Sequence, residues 1–303
     1  MGSSISHCFS RIALVALLLC SFETMGATVG LLVEDNNQQV QRFQIAIKQA
    51  RPQDSFKLYT YKSLPKDLST VAIDSWLAMG AKSLAVLLGR SDVKHGKRIL
   101  GLFIRSDAKA KLKNLYPNKS FSLLDNTPPL TRQLALIKVL SPQIKSVAIL
   151  HTQEAPVNLS EINKLASKLG LTVKTALISD PLNWSRTSLK VLKETDIVLG
   201  INDTAIYNAT TIRSILMRLY RASRPLIGPD KGYVRAGAVA STYSGVKETI
   251  QSVSELLGSA DVWPTIIYNS NFNVVVNTQV ARSLNINVTD VEQLSQQVRE
   301  VLK

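Results

Sequence analysis

Side chains able to hold a small charged or hydroxylated molecule recur in this sequence at one kind of place, the polar turn that follows a short apolar run. Asn202, Asp203 and Thr204 follow residues 196–200, and Asp230 sits between Pro229 and Lys231 after residues 225–227. Arg105, Ser106 and Asp107 follow residues 98–103; Gly89, Arg90, Ser91 and Asp92 follow residues 83–87; Glu34, Asp35, Asn36 and Asn37 follow residues 28–33. Carboxylates such as Asp203 or Asp230 can accept hydrogen bonds from a ligand amine or hydroxyl, and Arg90 beside Ser91 offers a fork for a carboxylate or phosphate. Each also has a plain structural use. Asp203 can cap a helix starting near Thr204, Asp230 can shape a turn, and Arg90 can remain solvated.

Catalysis finds little to work with. There is no G-x-S-x-G elbow, no P-loop, no G-x-G-x-x-G after a strand and no H-E-x-x-H. Of the three histidines, His7 lies near the start, leaving His95 and His151, and nothing places either beside a nucleophilic serine. The reading is therefore of a binding protein, with no catalytic residues, no cofactor and no metal site.

The elements that position these turns alternate β-rich runs with amphipathic stretches, the pattern of parallel sheets with helical crossovers. Strands are expected at 28–33, 55–59, 83–87, 98–103 and 120–124, with helices at 38–49 and 66–79. After Asp125, Asn126, Thr127, Pro128 and Pro129, a second series begins. It has helices at 130–140, 158–169, 185–193 and 204–222, and strands at 146–150, 172–177, 196–200, 225–227 and 236–241. A tail adds a helix at 246–257, a strand at 273–276 and a helix from about 291 to 302. The fold class is α/β: two doubly wound parallel-sheet lobes joined by a multi-strand hinge. The expected boundaries are 28–125 plus about 243–277 for the first lobe and 126–242 plus about 278–303 for the second. In such sheets ligands bind beyond the C-terminal strand ends, where the polar turns lie.

The start of the chain speaks for export. Arg11 precedes the apolar run 12–19, which is too short to span a bilayer and has the length of a signal-peptide core. Cleavage is expected after Ala27, or alternatively Gly26. Both cysteines, Cys8 and Cys20, fall inside this segment, so the mature chain would have neither disulfide nor thiolate. No later run reaches spanning length, so no stable membrane insertion is expected after cleavage. The formal charge of +14 is unchanged by removal, because Arg11 and Glu23 cancel. Lys and Arg are spread along the chain without a basic tail or aromatic interleaving, which argues against nucleic acid and for a basic solvated surface.

The stretch 196–240 resembles the substrate-binding proteins of ABC transporters of the tryptophan/tyrosine type, with the type I periplasmic binding fold. It contains the Asn202-Asp203-Thr204 turn, Arg224-Pro225-Leu226-Ile227, and Asp230-Lys231-Gly232-Tyr233-Val234-Arg235-Ala236-Gly237-Ala238, similar to that family's D-x-G-x-V-x-A-G-A segment. Arg132 to Lys138 and Val274 to Ala281 extend the likeness, and Ser106-Asp107 resembles a T-D-P loop with Ala108 in place of proline. The resemblance implies a monomer in the periplasm of a Gram-negative type bacterium that binds an amino-acid-like or other small polar solute and serves a membrane permease. It implies ligand-facing roles for Asn202, Asp203, Thr204, Asp230, Ser106 and Asp107. Two loops depart from the family pattern: Gly89-Arg90-Ser91-Asp92 stands where G-T-P-A is expected after the third strand, and Thr152-Gln153-Glu154-Ala155-Pro156 follows Leu150. Those departures favour an alternative, a degenerate scaffold acting as an envelope sensor or interaction partner.

Overall fold

The computed structural model describes residues 26–93, 97–155, 157–288 and 290–303; the expected signal segment and His95 lie outside these. The chain divides into two compact units, with the boundary between Ser122 and Leu123. In chain order the elements begin β1 (Thr28–Val33), α1 (Gln38–Ala50), β2 (Ser55–Thr60), β3 (Ser75–Met79), α2 (Ala81–Leu88), β4 (Arg98–Leu102), α3 (Ser106–Leu115) and β5 (Ser122–Asp125). They continue with α4 (Leu130–Leu140), β6 (Ser146–His151), α5 (Leu159–Lys168), β7 (Thr172–Leu177), α6 (Trp184–Thr187), α7 (Leu189–Lys193), β8 (Ile197–Leu199), α8 (Ile212–Arg221), β9 (Leu226–Ile227) and α9 (Lys231–Ala236). The remainder is β10 (Ala240–Tyr243), α10 (Val246–Gly258), β11 (Ile266–Tyr268), β12 (Asn273–Val276), α11 (Thr278–Ser283) and α12 (Val291–Val301).

These strands build two sheets of the same order, β2-β1-β3-β4-β5-β11 and β7-β6-β8-β9-β10-β12. In the first, β2, β1, β3 and β4 run parallel, as do β5 and β11; in the second, β7 to β10 run parallel and β12 is antiparallel. Buried Val29, Leu31, Leu32 and Val33 of β1 match buried Val147, Ala148, Ile149 and Leu150 of β6. Such near-continuous apolar runs are what a strand covered on both faces needs. The duplication extends to the strand starts. Asp74, just before β3, accepts from the Thr28 amide at 2.8 Å, and Asp196, just before β8, accepts from the Ser146 amide at 2.9 Å.

The first sheet corrects the expected order between residues 66 and 88. The strand is Ser75–Met79, inside the stretch read as a helix, and residues 83–87 belong to helix α2. Both segments are largely buried, and an apolar run covered on all sides carries no period that separates strand from helix. Gly30 confirms the register, because it pairs with Trp76 and a Cβ there would stand 2.6 Å from the Trp76 ring.

In the second sheet, the helix expected at 204–222 forms only from Ile212. Asn208 donates to the Thr204 and Ala205 carbonyls and accepts from the Thr210 and Thr211 amides, so its side chain holds a turn where helix bonds would otherwise form. The expected helix at 185–193 is broken into α6 and α7 at Ser188. The strand expected at 236–241 is β10, which starts four residues later and runs two residues further than the reading placed it, and it is preceded by the unanticipated α9. The tail is shared: β11 joins the first sheet, whereas β12, inside the segment assigned to the first lobe, pairs with β10.

Candidate functional site

In both sheets the strand order reverses between the first and third strands of the series, β1/β3 and β6/β8, the point where doubly wound sheets bind ligands. The first unit places Glu34, Asp35, Asn36 and Asn37 there, all exposed, with Asn37 capping α1 through a bond from the Val40 amide. Across the reversal, the turn after β3 is Gly80, Ala81, Lys82 and Ser83, not Gly89 to Asp92. Gly80 has φ +88° and open space where a Cβ would stand. Lys82 Nζ reaches Glu34 Oε1 at 2.7 Å, and that hydrogen bond, with the Glu34 charge, raises the Lys82 pKa. The Tyr61 hydroxyl lies 3.3 Å from Ser83 Oγ, joining the turn after β2 to the same rim.

The end of β4 holds a residue that pattern reading passes over. Phe103 adopts φ +56°, a conformation rare for a bulky side chain, while 38 % exposed, and its ring meets Phe43 edge-on at 5.9 Å. The only advance signal is an aromatic residue at a strand exit. Ser106 opens α3 and is exposed; Asp107 follows it in the first turn, and its side chain lies outside the described residues.

Arg90 and Ser91 are placed elsewhere than the sequence suggested. They follow α2 and precede β4, on the edge of the sheet opposite the strand C-termini. Arg90 Nε donates to Asp92 Oδ1 at 2.7 Å, its Nη2 donates to Asp92 and to the Lys66 carbonyl, and Asp92 Oδ2 accepts from the Leu68 amide at 2.7 Å. The Arg90 bond and the Leu68 amide hold the Asp92 carboxyl far below its ordinary range. A depressed folded-state pKa adds stability that is present above the unfolded value, about 3.9, and lost as pH falls. The wild type is therefore expected to exceed Asp92→Asn in urea midpoint at neutral pH, with the difference shrinking as pH drops below about 4.

In the second unit the reversal joins the ends of β6 and β8 through Asp203. This side chain is buried, 3 % exposed. Its Oδ2 accepts from the Thr152 amide at 2.7 Å and the Thr152 hydroxyl at 2.9 Å, while Oδ1 accepts from the amides of Ala205 at 3.0 Å and Ile206 at 3.4 Å. The carboxylate thus ties two loops together, and all its bonding directions are occupied from within the unit. Burial, then the nearby Asp203 charge, pushes the Tyr207 hydroxyl pKa up. Asn202 and Thr204, on either side, are exposed. Asp230 is exposed, caps α9 by accepting from the Gly232 amide at 2.6 Å, and leaves room for a further donor. Gln133 of α4 holds the ends of β9 and β10 by donating to the Gly228 carbonyl and Ser241 Oγ and accepting from the Thr242 amide and hydroxyl.

The second unit also contains a polar belt where the chain passes between sheets, at 125–129, 244–249 and 269–273. Asn269, 1 % exposed, donates to Asn126 Oδ1 at 2.8 Å and accepts from Ser252 Oγ at 2.5 Å and the Asn271 amide at 3.0 Å. Asn126 donates to Thr249 Oγ1, and Asn273 donates to Glu248 Oε1, whose other oxygen accepts from the Gly245 amide. Arg132 donates to the Asn269 carbonyl at 2.6 Å and lies 4.2 Å from the centre of the Phe272 ring. Burial, with the Arg299 charge behind it, pulls the Arg132 pKa down to about 10.

Among the described residues no group of His, Cys, Asp and Glu could hold a metal ion, and no helix is long and apolar enough to cross a membrane.

Comparison with known proteins fits this architecture. No curated protein matches the sequence. A solved ABC domain in complex with L-Trp from Streptococcus pneumonia is 17 % identical, covers 89 % of this chain and 98 % of its own, and has a TM-score of 0.50. The ligand-free, open structure of a substrate binding protein with adhesive properties from Clostridium difficile is 14 % identical over 89 % of this chain and 98 % of its own, with a TM-score of 0.60. At such identity these likenesses show the fold, that of the type I periplasmic binding proteins. Residues 116–301 match the family described as ABC transporter substrate binding protein, and on that match, across well over half its length, the chain belongs to this family.

Proposed function

We propose that this chain is the exported solute-binding component of an ABC-type uptake system, whose two lobes close by a hinge movement on a small polar, amino-acid-like solute and present it to a membrane permease from the periplasm. The observation that carries this reading is the duplicated sheet order in a member of the substrate-binding family, with polar exposed side chains at each reversal of strand order. The ligand-facing set is Asp35, Lys82 and Ser106 from the first unit and Asn202, Thr204 and Asp230 from the second. Asp203 acts behind them, as the residue that fixes the loop bearing Asn202 and Thr204. Residues 1–27 serve as the signal peptide, and the mature chain works as a monomer.

A thermal-shift screen over amino acids, sugars, nucleosides and organic anions tests this. A true ligand adds about 2.7 kcal/mol of stability at a hundredfold excess over its Kd. Lys82→Met and Asp230→Ala are each expected to weaken its binding about tenfold or more, the loss of one charge-assisted contact. Unchanged affinity in both variants would remove the site assignment. A second reading, a retained scaffold serving as an envelope partner, is favoured by the Asp203 carboxylate and the Lys82 ammonium being paired within their own units. Silence across the whole screen would support that reading instead.

A further inference from the structure

The strongly basic balance of the chain is not used by the binding site, and the structure shows where part of it gathers. From residue 204 to residue 229 there is no Asp or Glu, while Arg213, Arg218, Arg221 and Arg224 all fall in this stretch. Helix α8 buries Ile215 and Leu219 against the second sheet. Its opposite side turns Arg213, Met217, Arg218, Tyr220 and Arg221 to solvent, with Met217 and Tyr220 each 51 % exposed. At 100° per residue these five lie on one continuous arc, with the two amphipathic side chains among the arginines. The neighbouring α9 adds exposed Arg235. Among the described residues none of these four arginines forms an ion pair, and Asp230, the first acid beyond the stretch, is bonded to the Gly232 amide at the start of α9.

We infer that the solvent face of α8, extended by Arg235, docks the protein on an anionic lipid bilayer. Unpaired arginines on a convex helix suit a diffuse plane of negative charge, which needs no shaped groove, and long guanidinium side chains reach headgroups without backbone rearrangement. Tyrosine and methionine between them can enter the headgroup layer, where aromatic rings with a polar tip are favoured. The net charge of +14 draws the whole molecule toward the same surface, and the attraction weakens with salt. This inference stands whether or not the solute-binding proposal does.

Flotation of the full chain with vesicles of phosphatidylcholine alone, and of equal parts phosphatidylcholine and phosphatidylglycerol, tests it. The apolar N-terminal segment is common to all variants and would engage both vesicle types, so the readout is the ratio of anionic to neutral binding. That ratio is expected to exceed about tenfold at low salt and to fall as salt is added. Each arginine near an anionic surface contributes up to roughly fivefold, so Arg213→Gln with Arg218→Gln and Arg221→Gln should bring the ratio down to within about threefold of one. Neutralising exposed Lys145, Lys164 and Lys168 in the same way should leave it within about threefold of wild type. The corresponding triple arginine-to-lysine variant keeps the charge and should bind as wild type does. Equal loss from both neutralised sets would reduce the effect to net charge and overturn the inference. So would a wild-type ratio near one, loss in the lysine variant, or binding that appears only when an acidic membrane protein is reconstituted in the vesicles.

Discussion

Asp203→Ala is expected to lower the unfolding free energy by about 3–4 kcal/mol, several times the cost of Asp230→Ala, which removes one exposed cap worth about 1 kcal/mol. The asymmetry follows from what each carboxylate leaves behind. Asp230 exposes the Gly232 amide to water, which replaces the lost bond. Asp203 leaves the Thr152 amide and hydroxyl unpaired at a residue 6 % exposed, together with the Ala205 and Ile206 amides. Each buried donor left unmade costs roughly 1–3 kcal/mol, partly relieved if water enters the space. Asp203→Asn should fall between, since its amide keeps one acceptor oxygen but turns an NH₂ group toward N–H donors. Urea midpoints at constant m-value read all three. Equal costs for Asp203→Ala and Asp230→Ala would refute the view that Asp203 pins two loops. A loss of ligand binding in Asp203→Ala therefore reports loop position, whereas the same loss in Asp230→Ala reports contact.

The belt around Asn269 carries the second large effect. Asn269→Ala is expected to cost roughly 2–4 kcal/mol, because Asn126 Oδ1, the Ser252 hydroxyl and the Asn271 amide each lose a bond to a side chain that is only 1 % exposed. Asn126→Ala should cost less, since Asn126 is only half-buried and makes two of the side-chain bonds of the belt, to Thr249 and Asn269. The two changes share one hydrogen bond, so the double variant should be less destabilised than the sum of the singles by about 0.5–3 kcal/mol. Strict additivity would show that the Asn126–Asn269 bond does not form in solution. Measured on the ligand-bound protein as well, the same cycle would report whether the belt is altered when the solute binds.

The sequence is legible where one physical cause dominates. Residues 172–177 and 273–276 carry β-branched runs bounded by turn residues and form strands at those limits. The helix expected at 38–49 forms as Gln38–Ala50, closed at its start by the short polar side chain of Asn37. Reading fails where two causes give the same pattern. The run 83–88 and the run 75–79 are both apolar because both are buried, and length alone did not assign helix to one and strand to the other. That exchange also moved Arg90 and Ser91 from the strand exits to the opposite edge. Asp203 shows the same limit at a single residue: a helix cap, a ligand contact and a tie to a loop 51 positions away look alike in one dimension. Phe103 offers only the weak signal of an aromatic residue at a strand exit, since its distinction is a backbone angle.

The outer edge of β5 is covered by β11, a strand formed by residues 266–268. Every strand of the second sheet except β12 is therefore synthesised before the first sheet receives its last member. A chain emerging from the ribosome cannot complete its N-terminal half first, and until residue 268 appears it presents an unpaired strand edge to whatever accompanies it. In the exported protein proposed above, threaded unfolded through a membrane, this delay would be an advantage, because a late-arriving strand keeps the first half from locking before export. It also sets a sharp truncation limit: a chain ending before residue 266 should aggregate through β5, while one ending after β12 should lose only the helices that pack on the second sheet.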